Sequence, residues 1–531
     1  MRINKVHIKN FKNLQDFDIT LDQDKMETIL LGPNAVGKSN FLEALVLIFK
    51  FLDLEKKPPF DYTIWYRVKE KELKVEYEDG RYSFYKIEKS SDLLFGDQPE
   101  IRIKDFFKHK DQYLPKYVFT YYSGISNKLK NHFDDHQKRF YDKAKETGIT
   151  KNDVEDLRRL FYVQLIHSYF VLLAYFSFTE DEKSTIKFLK DVLSITDLES
   201  VLFVLHRPTW KGKGDKRFWG ASGLVEEFLQ QLWKYATAPI YDLKATLKID
   251  FRRNSKRDLL YLFVSNKANL QSLATFYNSN TDFFKALEST YISDLIEEVR
   301  VKVKKVNVSG DITFRELSEG EQQLLTVLGL LRFTKDDDSL ILLDEPDTHL
   351  NPLWKWKYRE YLKDVVKRPE STQIIINTHD PLVVGSMVKE EVRIFKYDKE
   401  LNKITAEQPD IDPKGLGVPG ILTSELFGLP TILDKETQTD LNEKRFLQGK
   451  LLRQGLSVEE EERFVKLKNS LDDLGFYDQT NDIWYNRYLA EISKNELFKK
   501  VEFTDEEKVL LEQESKKVLE KILTDESNEN K

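Results

Sequence analysis

The sequence predicts an α/β fold with an antiparallel β subdomain, a helical insertion and a helical C-terminal extension. Three observations carry this. The apolar runs "ETILLG", "SLILLDEP" and "QIIINTHDP" are too short for helices and read as buried strands. "KSNFLEALVLIFKFL", close behind the first of them, carries a helical apolar stripe. Alternating runs between residues 62 and 87 read as antiparallel strands.

Taken in order, Ile3, Val6, Ile8 and Phe11 alternate like a strand, and Phe17, Ile19 and Leu21 follow after a turn. "YTIWYRV", "LKVEYEDG" and "RYSFYKI" are three further strands, with "EDGR" as a hairpin turn, and "KYVFTYYSG" is another. From about Asn127 to Tyr241 the chain reads as helical and heavily charged. Strand patterns return in "ATLKIDF", "LLYLFV", "VRVKVKKVNV" and "EVRIFKYD". After about Asp410 a Gly/Pro-rich linker leads to charged helices, two of which open with capping boxes, Ser457 with Glu460 and Thr504 with Glu507. The expected parts are a first lobe, 1–126, a helical insertion, 127–241, a second lobe, 242–410, and a helical extension, 411–531.

The 531 residues carry a net charge of −7, with signs well mixed, so a general basic coat for nucleic acid is absent. No cysteine is present, which excludes disulfides and thiol chemistry and suits a cytoplasmic location. The start "MRINKVHIKNFKNL" has charges where an export signal needs an apolar core. The 18 residues from Phe161 to Phe178 lack a formal charge, but Gln164, His167 and Ser168 favour a buried helix over a membrane span. His167 is expected to be a hydrogen-bonded core histidine.

"GPNAVGKSN" satisfies G-x-x-x-x-G-K-[ST] between a buried strand and a helix, the context in which that pattern cradles phosphates. Gly32 and Gly37 let the loop wrap closely. The amides of Asn34, Ala35, Val36, Gly37 and Asn40 and the helix N-terminus supply positive potential. Lys38 reaches the β- and γ-phosphates of ATP, and Ser39 offers its hydroxyl to Mg²⁺. "LILLDEP" places Asp344 at a strand end, where it can hold the Mg²⁺ shell. Glu345 then points elsewhere and can orient or deprotonate the attacking water. His379, in "INTHDP" one strand later, is placed to contact the γ-phosphate.

"LSEGEQQLL" lies 280 residues after Lys38 and 26 before Asp344, counted from Ser318. The order P-loop, "LSEGEQQ", "LLDEP", "THD" resembles the ABC-type ATPase heads, in which this stretch is the signature motif. The resemblance implies that Ser318 and Gly320 bind the γ-phosphate held by a second protomer, giving an ATP-sandwiched homodimer that hydrolyses ATP to ADP and phosphate. It implies that Gly320 is a glycine so that backbone can approach phosphate. Glu319 and Glu321 would bring two carboxylates to that site. Asn351 falls in the D-loop. "IKNFKNL" and "LLGPNAVGKSNFLEAL" are similar to the RecF/SMC/OLD branch, where Lys12 would contact nucleotide with Asn13 beside it. Tyr122 and Ser123 stand where the Q-loop glutamine would be.

"LPKYVFTYYSGISNKL", "GLGVPGILTSELFGLPTILDKET" and the "LGF…WYNRYLAEI" tail resemble the restriction-system-associated ATPases and the PtuA ATPases of Septu and retron anti-phage systems. That resemblance implies control of a separate HNH nuclease, with a reverse transcriptase and its RNA–DNA hybrid in some systems. No Toprim-type acidic triad follows "THDP", so the chain is expected to lack a nuclease site. Two alternatives stay open: a RecF-like repair ATPase that binds duplex DNA, and a low-turnover ATP-binding scaffold.

"HRPTWKGKGDKRFWG" interleaves Arg207, Lys211, Lys213, Lys216 and Arg217 with Trp210, Phe218 and Trp219. Such a loop suits phosphate contact and base stacking; it equally suits a solvated loop whose aromatics anchor in the core. "RRNSKR", Arg252 to Arg257, reads as a hairpin turn, with contact to nucleic acid as the alternative. The C-terminal helices offer docking faces.

Overall fold

The computed structural model describes residues 1–87, 99–124, 128–144, 159–178, 182–248, 251–306, 312–313, 316–331, 338–366, 369–476, 497 and 504–529. It forms two compact units, Met1–Pro430 and Thr431–Lys531.

The first unit holds three sheets. A six-stranded antiparallel sheet runs in the order β2 (Leu14–Thr20), β1 (Arg2–Phe11), β4 (Tyr62–Val68), β5 (Lys71–Glu78), β6 (Arg81–Ile87) and β7 (Glu100–Ile101). The "EDGR" hairpin closes as expected, with Asp79 and Gly80 both at positive φ. A seven-stranded sheet runs β18 (Lys403–Glu407), β17 (Val392–Asp398), β3 (Glu27–Leu31), β16 (Thr372–Asn377), β15 (Ser339–Asp344), β8 (Tyr117–Tyr122) and β9 (Leu160–Tyr162). Every pairing in it is parallel except β17 with β18.

The strands of this parallel sheet are apolar on both faces, which is why they read as continuous runs. Leu30, Leu340, Leu342 and Ile375 face helix α1 (Lys38–Leu54) and the antiparallel sheet. Ile29, Leu31, Ile341, Leu343, Ile374 and Ile376 face a second core. Helices α2 (Ile166–Ser177), α3 (Gly223–Tyr235), α4 (Asn280–Ile292) and α5 (Glu319–Leu331) join that second core. The third sheet, β11 (Thr237–Lys248), β12 (Asn254–Val264), β10 (Ile195–His206), β13 (Ile296–Lys305) and β14 (Ile312–Thr313), packs there too.

The stretch 127–241 is not wholly helical. It contributes β9 to the parallel sheet, β10 to the third sheet and the first residues of β11. The run "LESVLFVLH" shows no alternation because β10 is central, buried between β12 and β13. Phe161–Phe178 likewise divides into β9 and α2. Helix α2 is buried along its length, and among the described residues no helix is long and apolar enough to cross a membrane. His167 is a core residue as expected: its Nδ1 accepts from the Gln164 amide at 2.8 Å, and its Nε2 lies 3.4 Å from Glu288.

The boundary near residue 410 also shifts. The linker packs onto the first unit through the short helix Gly417–Thr423, burying Ile421 and Leu426, so the compact unit ends at Pro430. The second unit contains helices α7 (Lys435–Gln454), α8 (Val458–Asp473) and α9 (Asp505–Glu529), numbered after α6 (Pro352–Val365) of the first. Both predicted capping boxes form, at Ser457 with Glu460 and at Thr504 with Glu507. The "WYNRYLAEI" stretch lies outside the described residues.

Candidate nucleotide-binding site

The C-terminal ends of β3, β15, β16 and β8 lie on one edge of the parallel sheet, the edge at which open α/β sheets place ligands. After β3 the loop Gly32–Gly37 turns into α1. Gly32 has φ 132°, and a Cβ there would sit 2.2 Å from the Phe395 carbonyl oxygen, so backbone packing alone excludes a side chain. Gly37 has φ 89° and is the residue from which α1 starts. Asn13 braces the loop: its Nδ2 donates to the Ala35 carbonyl at 2.8 Å, and its Oδ1 accepts from Asn40 at 2.7 Å.

A cavity of about 240 Å³ opens over this loop, lined by residues 34–40 together with Lys128, Glu345, Asn377 and His379. The Lys38 amine points back, donating to the carbonyls of Gly32 at 2.6 Å and Pro33 at 2.8 Å. Burial pushes it down to about 8, against the pull of Asp344 and Glu345.

Asp344 closes β15 and is 1 % exposed. Asn377 at the end of β16 donates to its Oδ1 at 2.5 Å and lies 3.4 Å from the Ser39 hydroxyl. Burial raises the Asp344 carboxyl, with the Asn377 amide opposing. Its Oδ2 is buried without a hydrogen-bond donor, an arrangement that would be costly unless a cation completes it. The Ser39 hydroxyl and the Asp344 carboxylate, braced by the Asn377 amide, thus form an oxygen corner that fits a hard divalent ion.

Glu345 takes a left-handed backbone, φ 52°, held by its amide donating to the Asn377 carbonyl at 2.8 Å. This turns its carboxylate away from Asp344 to within 3.5 Å of His379 Nε2. Burial, and then Lys38, lower the His379 pKa, with Asp344 opposing. Ser123, after β8, donates its amide to the Asp344 carbonyl at 3.2 Å, and its hydroxyl is 3.2 Å from that of Thr348.

The signature residues stand apart. Glu319 lines a different cavity, of about 400 Å³, with Tyr122, Ser123 and His349. Ser318 caps α5 through a reciprocal box: the Ser318 amide donates to Glu321 at 2.8 Å, and the Glu321 amide donates back to the Ser318 hydroxyl at 3.3 Å. Glu321 also pairs with Lys305, and Glu319 lies 3.1 Å from His349. Both glutamates therefore have partners within the chain. Gly320 has one too: a Cβ there would lie 2.6 Å from the His349 carbonyl oxygen. Intramolecular packing thus requires this glycine, whatever phosphate adds. Asn351 caps α6, accepting from the Trp354 amide at 2.9 Å. Lys12 stands off the cavity with its amine on Glu43.

Sequence reasoning missed two residues. Asn377 precedes "THD" and reads only as the polar end of a strand. Lys128 donates to Asn40 Oδ1 at 2.7 Å and lies 3.2 Å from Glu43, yet "SNKLKN" matches no motif.

A phosphate loop, a strand-end carboxylate pair, a histidine one strand over and a capped signature helix together define an ABC-type P-loop ATPase head. The family model described as "AAA ATPase domain" matches residues 1–384, and the chain belongs to that family. It is similar to the Septu protein PtuA of Bacillus mycoides (strain KBAB4), with 28% identity over 251 residues, 43% of this chain and 33% of that protein. It is similar to the "Retron Vc95 probable ATPase" of Vibrio cholerae serotype O1 biovar El Tor, 24% identical over 188 residues, 28% of this chain and 35% of that one. A short stretch of 48 residues is 46% identical to the DNA replication and repair protein RecF of Synechococcus sp. (strain JA-2-3B'a(2-13)), covering 9% of this chain and 12% of RecF. The chain spans about a third of the length of the first two relatives.

Proposed function

We propose that the chain is the ATP-binding and ATP-hydrolysing regulatory subunit of an anti-phage defence complex, controlling a separate HNH nuclease by nucleotide-dependent pairing of two heads. The carrying observation is the division of the site. Lys38, Ser39, Asp344, Glu345 and His379 gather around the phosphate loop, whereas Ser318 and Gly320 line no part of that cavity. A γ-phosphate touched by both sets needs two chains, and a two-fold pairing makes two equivalent sites. The similarity to Septu PtuA and the retron ATPase supports the defence setting.

In this reading the loop amides and the start of α1 hold the phosphates. Lys38 releases its two carbonyls and turns to the β- and γ-oxygens. Ser39 and Asp344 would hold Mg²⁺, which when bound neutralises phosphate charge. Glu345 orients the attacking water and takes its proton, and His379, 3.5 Å from the Glu345 carboxylate, registers the γ-phosphate.

Reconstitution with a candidate HNH nuclease partner tests the assignment. DNA cleavage should change with ATP, and should lose that response in Lys38→Ala. Cleavage indifferent to ATP and to Lys38→Ala would contradict it. The RecF-like stretch supports a second reading, a repair ATPase; ATP-dependent binding to bare duplex DNA without a partner would favour that one.

A further inference from the structure

We propose that the loop Arg207–Gly220 is a second anion site, separate from the phosphate loop, that binds single-stranded nucleic acid. The loop encloses a cavity of about 520 Å³ lined by Arg207, Trp210, Lys211, Lys213, Lys216 and Trp219 and by glycine backbone. No acidic side chain is among its lining residues.

The loop is built rather than slack. The Gly214 amide donates to the Gly220 carbonyl at 3.0 Å, and the Asp215 amide to that of Ala221 at 2.9 Å. A Cβ on Gly212 would lie 1.9 Å from the Gly220 oxygen, and one on Gly214 would lie 1.8 Å from that of Ala221. The glycines are thus demanded by two backbone segments in contact, which fixes where the lysines emerge.

The structure also sorts the basic and aromatic residues. Arg217 is withdrawn: Asp215 binds its guanidinium and its amide, and it does not line the cavity. Phe218 is fully buried and cannot stack on a base. Lys211, Lys213 and Lys216 are exposed, and Arg207 is 62% exposed beside Asp258 at 3.3 Å. Trp210 and Trp219 are half-buried with one part packed on the core, and Trp210 Nε1 is tied to the Ser293 carbonyl at 2.7 Å. Two partly packed indoles therefore line a cationic recess, the pairing of charge and π-surface that tracks a single strand.

The register adds a second basic segment at the same end of the sheet. His206, the last residue of β10, pairs with Leu259 of β12, and the Arg207 amide donates to the Asp258 carbonyl at 2.9 Å. Residues 252–257 of the β11–β12 hairpin then run on past the end of β10, carrying Arg252, Arg253 and Lys256, while Arg257 is drawn to Glu297 at 3.4 Å. This track is longer than one phosphate, which points to a polymer. Stacking requires unpaired bases, which points to a single strand.

The test is fluorescence anisotropy of a labelled oligothymidylate with the full chain and with the triple variant Lys211→Gln, Lys213→Gln, Lys216→Gln. ATP affinity reports that the variant head is intact. Each phosphate contact contributes about 0.7 to the salt slope for a single strand, so losing three should lower the slope by about 2. At roughly 0.1 M salt this is a loss of about a hundredfold in affinity. Trp219→Leu should weaken the oligothymidylate while leaving inorganic polyphosphate binding unchanged. Absence of binding by the wild-type chain, an unchanged triple variant, tighter binding of a duplex of equal length, or equal competition by polyglutamate of matched charge would each overturn the proposal.

Discussion

Asn377 donates its side-chain amide to Oδ1 of Asp344 at 2.5 Å, and the same nitrogen lies 3.4 Å from the Ser39 hydroxyl. One neutral residue thus orients the carboxylate and leaves its other oxygen, Oδ2, buried without a donor. Replacing Asn377 by Ala frees Asp344 to rotate and removes the hydrogen bond that opposes its raised pKa. Supporting contacts of this kind are typically worth about 10- to 100-fold in metal affinity. Turnover of Asn377→Ala should need that much more Mg²⁺ for half-maximal rate, with the affinity for ATP itself little changed.

The buried Lys38 amine, at about 8, makes nucleotide binding pH-dependent. A bound phosphate raises the pKa again, so the free protein carries the lower of the two values. Below that value the amine is charged in both states, and affinity is flat. Above it, binding must take up a proton, so affinity falls with rising pH by up to about tenfold per unit. Calorimetry in two buffers of different ionisation enthalpy should show proton uptake above pH 8 in the wild-type chain. Lys38→Ala should lose nucleotide binding.

Gly320 separates packing from ligand binding. A methyl group there meets the His349 carbonyl, which is backbone and cannot swing aside. Gly320→Ala should lower stability to denaturant by about 1–3 kcal/mol and slow turnover, while ATP still binds the phosphate loop with wild-type affinity. Ser318→Ala loses one capping acceptor, a smaller cost of about 1 kcal/mol.

Glu345→Gln keeps the shape of the site but cannot accept a proton. Hydrolysis should fall by about 10²–10⁴-fold in a single-turnover assay, with ATP binding retained. Wild-type turnover in this variant would remove Glu345 from the catalytic role.

The fold was most legible where one local pattern decides the structure. The phosphate loop needs a strand, glycines and a helix in sequence, and "ETILLGPNAVGKSN" spells all three. The capping boxes were readable because their partners are three residues apart. What failed depends on distant pairing. β10 looks helical until β12 and β13 bury both of its edges, and Phe161–Phe178 divides because its first two residues, Phe161 and Tyr162, join β8. Asn377 and Lys128 match no local pattern because their roles come from neighbours far away in sequence. The motif around Gly320 implies room for phosphate, yet a Cβ there already meets the His349 carbonyl. The basic loop was half legible: its charges were visible, but Arg217 and Phe218 are spent on Asp215 and on the core.

The most direct test of the central claim is complementation between two inactive chains. Lys38→Ala lacks a working phosphate loop, and Ser318→Arg blocks the signature helix; each alone should be inactive. If ATP is sandwiched between two heads, the mixed pair holds one intact site, made from Lys38 of one chain and Ser318 of the other. Statistical mixing should then restore about a quarter of wild-type ATPase activity. No recovery on mixing, or full activity of Ser318→Arg alone, would contradict a site shared between two chains.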